Sequence, residues 1–206
     1  MGRLHSLVLA AALAVPATAS ADIFKLYGEG QGGGMYGKGI AGDHKADSAF
    51  QGGRLAYGVA LGAQILIFDG HVQHRQYING DGLTTWTQFS AGLNFGFDTG
   101  SEEEKKKGEG GYVAFGVGLA FGVGTGAQVD PPLDNAQVTD KGFLLEGRFN
   151  FGTHLSKVFD FGLQVPVSYG YLFKSGNGAT ANNTSDQYQS VQAEALLILR
   201  ANVNLI

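Results

Sequence analysis

Gly111-Tyr-Val-Ala-Phe-Gly-Val-Gly-Leu-Ala-Phe-Gly-Val-Gly-Thr-Gly126 is the stretch on which the reading of the fold turns. Val113, Phe115, Val117, Leu119, Phe121 and Val123 share one parity, and Tyr112, Ala114, Gly116, Gly118, Ala120, Gly122 and Gly124 share the other. An extended chain sends alternate side chains to opposite faces, so the stretch has one greasy face and one small face. A helix would lose about 1 kcal/mol at each interior glycine. Strands of soluble domains run to about 5–6 residues, whereas a tilted strand crossing an outer membrane needs about 9–11. The length and the alternation therefore predict a membrane barrel strand with its apolar face toward lipid.

The beginning of the chain fits export. Arg3 is followed by an apolar run from Leu7 to Val15, then Pro16 and the small-residue site Ala19-Ser20-Ala21 before Asp22. This is the order of a secretory signal peptide, with an apolar core too short to span a bilayer as a helix. Residues 1–21 are expected to be removed, leaving 22–206 as one domain. Taking Arg3 from the 14 Lys and Arg leaves 13 against 18 Asp and Glu, a net charge of −5 with no basic patch for nucleic acid. The chain has no cysteine, which excludes a disulfide frame or thiolate metal site. An exported chain of this kind is a soluble periplasmic protein, a secreted one or a barrel, and the alternation must choose among them.

Seven further runs alternate in the same way, at 23–36, 50–61, 65–77, 85–97, 142–154, 158–173 and 188–205. With 111–126 they make eight, an even number that returns the chain to the side on which it began. Polar stretches at 39–49, 78–84, 126–140 and 174–187 are expected as outer loops. Gly62-Ala63-Gln64, 98–110 and 155–157 are expected as inner turns. Only 98–110, carrying Glu102-Glu103-Glu104-Lys105-Lys106-Lys107, is long for an inner turn. The predicted fold is all-β, an eight-stranded antiparallel up-and-down transmembrane barrel.

Charge placement supports these phases. Lys25, Glu29, Arg54, Asp69, Arg75, Glu146, Arg148, Asp160, Glu194 and Arg200 all fall on the inward face. A Lys or Arg facing lipid near the midplane would cost about 2–4 kcal/mol. The five bases and five acids, with His71 among them, are expected to cross-pair in a lumen just wide enough to be filled by side chains.

Over the whole mature chain, the signal peptide, the alternating runs and the loop asymmetry resemble the small eight-stranded outer-membrane barrels of the OmpA transmembrane, OmpX and OmpW kind. The resemblance implies a Gram-negative outer membrane, contact with its lipid and lipopolysaccharide, and delivery by the barrel assembly machinery. Barrels of that kind usually end in an aromatic residue, whereas this chain ends Val203-Asn204-Leu205-Ile206. The family's roles are anchoring, adhesion, small-solute passage and, in a minority, lipid-modifying catalysis.

The leading functional reading is a structural or interaction barrel with a largely closed lumen. A partner in the envelope would meet it through loops 39–49, 126–140 or 174–187, or through turn 98–110. The alternative is a narrow channel for ions or small solutes. His154-Leu155-Ser156 has the His-x-Ser spacing of outer-membrane lipid A deacylases, yet it falls inward at a turn with no Glu beside it, so a plain turn is favoured. Asp69 and His71 share a face, where a hydrogen-bonded network is favoured over a metal site. Gly28, Gly30, Gly32 and Gly34 form a smooth outward seam, read as relief of strand curvature rather than as a docking surface. Asp130, Asp134 and Asp140 are too loosely spaced for a calcium loop and are expected to be solvated. No cofactor or metal is expected.

Overall fold

A computed structural model describes residues 23–42, 50–79, 82–127, 137–176 and 186–205. The expected signal peptide, Asp130 and Asp134 and the middles of the three long outer loops lie outside these residues. The chain runs through β1 (Phe24–Ala41), β2 (Gly52–Ile65), β3 (Phe68–Asn79), β4 (Gly82–Asp98), a short helix α1 (Glu102–Lys107), β5 (Gly110–Ala127), β6 (Gln137–His154), β7 (Phe159–Gly176) and β8 (Asp186–Asn204). Each strand pairs antiparallel with its chain neighbours, and β8 closes on β1, making a closed eight-stranded barrel. Closure leaves no sheet edge with unpaired backbone groups.

The strand parities match the sequence reading in all eight strands. Leu55, Val59 and Leu61 of β2, Phe89 of β4, Leu119 of β5, Phe143 and Phe149 of β6 and Leu197 of β8 are exposed on the outside. Glu29, Asp69, Arg75, Glu146, Asp160, Glu194 and Arg200 are buried inside. The strands run longer than expected at the end opposite Ile23 and Leu205. There β1 continues to Ala41, β6 begins at Gln137, and the expected 78–84 loop reduces to the connection between the paired Asn79 and Gly82.

Two connections at the end bearing Ile23 and Leu205 differ from expectation. The expected turn at Gly62-Ala63-Gln64 is strand, and the chain reverses instead at Leu66-Ile67, between the paired Ile65 and Phe68. Hydrophobicity does not mark this turn, because both of its residues are apolar. Leu66 has φ 54°, where a two-residue hairpin of the primed type normally places glycine. For an L residue that conformation costs about 1–2 kcal/mol.

The 98–110 segment contains α1. Ser101 caps it: Glu104 N–H donates to the Ser101 hydroxyl at 3.3 Å, and Ser101 N–H donates to the Glu104 carboxylate at 2.7 Å. Three acids fill its first turn and three lysines its last, opposing the helix dipole, and Gly108 closes it in the left-handed conformation. None of its residues is buried. Ser101 and Glu104 form an S-x-x-E capping box inside the charged stretch expected as a turn.

Candidate functional site

The lumen gathers polar chemistry from every strand but β5. From β3, Arg75 donates through Nη1 to the Glu194 carboxylate of β8 at 2.7 Å and through Nε to the Gln31 side-chain oxygen of β1 at 2.8 Å. Gln31 in turn donates to Glu29 at 2.9 Å, and Glu29 accepts from Arg200 of β8 at 2.7 Å. Tyr77 hydroxyl also donates to Glu194, at 3.3 Å. A second chain begins at Tyr27, whose hydroxyl donates to Asp69 at 2.7 Å. Asp69 binds Arg148 of β6 at 2.6 Å and the His71 ring at 3.0 Å. Arg148 reaches Glu146 at 3.2 Å, and Glu146 accepts from Gln88 of β4 at 2.7 Å. The two chains meet where the Arg200 guanidinium lies over the Tyr27 ring, 5.2 Å from its centre.

Arg75, Arg148 and Arg200 take Glu194, Asp69, Glu146 and Glu29. Arg54 donates to the Thr84 hydroxyl at 2.9 Å, near the end remote from Ile23. Lys25 sits half-buried at the opposite mouth, paired in register with Gln64 and Asn204. Asp160 is bound by His154 at 2.6 Å and by Asn202 at 2.6 Å. Removing one member of a buried, hydrogen-bonded charge pair costs about 3–5 kcal/mol, because the other charge is left stranded.

The sequence reading missed the second component of the lumen. Toward the end remote from Ile23, Phe50, Tyr77, Trp86, Leu144, Leu172, Tyr188, Leu196 and Ile198 are buried in one cluster with Met35, Ala56 and Ala120. Phe50 meets Tyr77 and Trp86 edge-on, with ring centres 5.7 and 4.8 Å away. A β-carbon added at Gly122 or Gly124 of β5 would overlap the Trp86 ring. The inward glycines therefore make room for the indole, whose N–H donates to Gln88 at 3.1 Å. Gly62 leaves room for Tyr27 in the same way. Parity alone puts Trp86 inside, but only the register that sets it against Gly124 shows what it fills.

The other candidate residues fall as follows. Asp69 and His71 share the lumen, and among the described residues no cluster of three His, Cys, Asp or Glu is arranged to hold a metal. His154 has an aspartate on each side, Asp160 and, at 3.2 Å, Asp98, where the sequence offered no Glu. Ser156 is turned to the backbone, its hydroxyl accepting from Val158 and Phe159 N–H at 3.2 and 3.1 Å. The pair is thus a turn cap beside a carboxylate-bound histidine. Asp140, expected in a solvated loop, is a buried β6 residue that accepts from Tyr188 at 3.0 Å, since β6 starts earlier than expected. A β-carbon at Gly30 or Gly32 would meet nothing within 4 Å, while one at the inward Gly33 would overlap the Ala195 carbonyl. The β1 glycines required by close approach are the inward Gly33 and Gly37, off the outward seam.

No family model matches the chain, and no curated protein is similar to it in sequence. Among solved structures, the outer membrane protein OprG from Pseudomonas aeruginosa is similar with a TM-score of 0.51 at 12% identity, covering 88% of this chain and 96% of that one. Neisserial surface protein A (NspA) is similar with a TM-score of 0.48 at 12% identity, covering 86% and 96%. The likeness to OprG is one of fold: the chain has the architecture of a small eight-stranded outer-membrane β-barrel.

Proposed function

We propose that the chain resides in the outer membrane as a structural or interaction barrel of the anchor or adhesion type, with a lumen closed to steady ion flow. The Ile23 and Leu205 end then faces the periplasm. The observation that carries the closed lumen is the continuous filling from Arg200 through Glu29, Gln31, Arg75 and Glu194 to the Trp86 cluster. An eight-stranded barrel has room for little besides such side chains. Partners would be met at the outer loops or at α1, whose charges face solvent. Surrounding lipid, including lipopolysaccharide, would contact the apolar exterior.

A narrow channel for ions or small solutes is the competing reading, and one observation favours it. Gln73 Nε2, Gln192 Nε2, Ser190 Oγ and Glu194 Oε2 are buried without a protein partner. Buried polar atoms of this kind are normally satisfied by internal water. The test is planar-bilayer recording of the purified barrel and of Arg148→Ala. Closed bilayers for the unmodified protein, with conductance or lowered stability only in the variant, are expected. A large, stable, ion-selective conductance in the unmodified protein would overturn the closed lumen and favour the channel.

A further inference from the structure

The β2–β3 connection differs in chemistry from the other two at the periplasmic end. The 155–158 turn exposes Lys157 alongside Leu155 and Val158, and the β4–β5 connection carries α1. At the β2–β3 tip the two turn residues are Leu66 and Ile67, 51% and 41% exposed, and they continue the apolar outer surface of Ile65 and Phe68.

Three of its four backbone polar groups are met from within the barrel. Leu66 N–H donates to the Ile23 carbonyl at 3.0 Å, and Asn94 N–H donates to the Ile67 carbonyl at 2.7 Å. The Gln64 side chain donates to the Leu66 carbonyl at 2.7 Å, while its oxygen accepts from the Asn94 side chain at 3.1 Å. Lipid offers no hydrogen-bonding partners, so a turn immersed in hydrocarbon needs internal ones such as these.

The height of the tip agrees. Phe68 pairs with Leu93, yet β4 runs on to Asp98 with Phe95 and Phe97 still facing outward, Phe97 being 50% exposed. At about 3.3 Å per residue and a tilt of about 35–45°, the run from Leu93 to Asp98 descends roughly 12 Å toward the periplasm. Tilt offsets neighbouring strands by only about 3 Å, too little to reverse the order. The tip thus stops within the height of the apolar exterior. Leu66 also keeps an apolar side chain at a φ that favours glycine.

We propose that the 66–67 tip is a lipid-docking surface, covered by inner-leaflet acyl chains, so that the barrel is short on its β2–β3 side. This rests on the outer-membrane reading, and the experiment separates the two. The chain has no native cysteine, so Ile67→Cys, Leu119→Cys and Lys106→Cys can each carry a single polarity-sensitive fluorophore. The purified variants are refolded into phosphatidylcholine vesicles, and folding is checked by heat-modifiable electrophoretic mobility. Leu119, 70% exposed in mid-strand, reports the membrane belt, and Lys106 reports water.

Ile67 is expected to match Leu119, with blue-shifted emission, quenching by spin-labelled lipid and at least about fivefold weaker iodide quenching than Lys106. Ile67 quenched by iodide like Lys106, with Leu119 shielded, overturns the proposal and spares the membrane reading. Leu119 also in water overturns both. Shielding of Ile67 only after addition of envelope extract assigns the surface to a protein and likewise overturns the lipid proposal. If labelling at Ile67 blocks folding, unlabelled Ile67→Lys answers: an immersed tip lowers the refolded fraction about tenfold, whereas a tip in water accepts lysine unchanged and overturns the proposal.

Discussion

The two ends of the lumen are filled by different physics. Toward the end bearing Ile23 and Leu205, Glu29, Asp69, Arg148 and Arg200 are held as charge pairs, each indispensable to its partner. Toward the far end, Phe50, Trp86, Leu172 and Tyr188 fill space by shape, against glycines that leave them room. Arg75 joins the two, bonded to Gln31 on one side and to Glu194, shared with Tyr77, on the other. A charge network tolerates looseness but not an absent partner, whereas an aromatic cluster tolerates neutral exchange but not a change of volume. Closure of the same barrel therefore has two distinct points of weakness.

The largest expected effect is at the junction. Arg75→Met leaves Glu194 buried with its main partner gone, and should lower stability by about 3–5 kcal/mol. Adding Glu194→Leu should restore most of the loss, as measured by urea unfolding of the barrel in vesicles. If the double variant is no more stable than the single, Arg75 acts by packing and the contrast between the two ends disappears.

The aromatic end should respond next. Trp86→Ala opens a cavity and is expected to cost about 3 kcal/mol. Gly122→Ala drives a methyl group into the indole and should cost about 1–3 kcal/mol in the parent, but much less once Trp86 is Ala. Additive losses in this cycle would show that Gly122 serves the backbone and not the ring.

Outside the lumen, α1 should be the most expendable part. Ser101→Ala should cost the helix about 1 kcal/mol, read as faster amide exchange over 104–107, with barrel unfolding unchanged. The Ser101 N–H and hydroxyl hold the Glu104 carboxyl below its ordinary range. A depressed carboxyl supports the helix above its unfolded-state value and loses that support as pH falls through the lowered one. The protection factor, exchange measured relative to the intrinsic rate at each pH, should therefore fall on acidification, and Ser101→Ala should blunt that response. Loss of barrel assembly on Ser101→Ala would make the helix part of the fold.

The sequence by itself determined the strand count, the phase of each strand and the sidedness of the charges. Alternation is a local property, and a charge on the lipid face near the midplane is too costly to survive. It also placed Arg75, Glu194, Asp69, Arg148, Glu29 and Arg200 inside without saying who meets whom. Partnership, the Trp86 seat on Gly122 and Gly124, the supporting acids of His154 and the burial of Asp140 were decided by the tertiary structure. Each depends on register around a closed sheet, which brings together residues such as Glu29 and Arg200 from opposite ends of the chain. The Leu66-Ile67 reversal was hidden for a related reason: apolar residues signal a strand where turns meet water, and this turn takes its polar partners from Ile23, Gln64 and Asn94 instead.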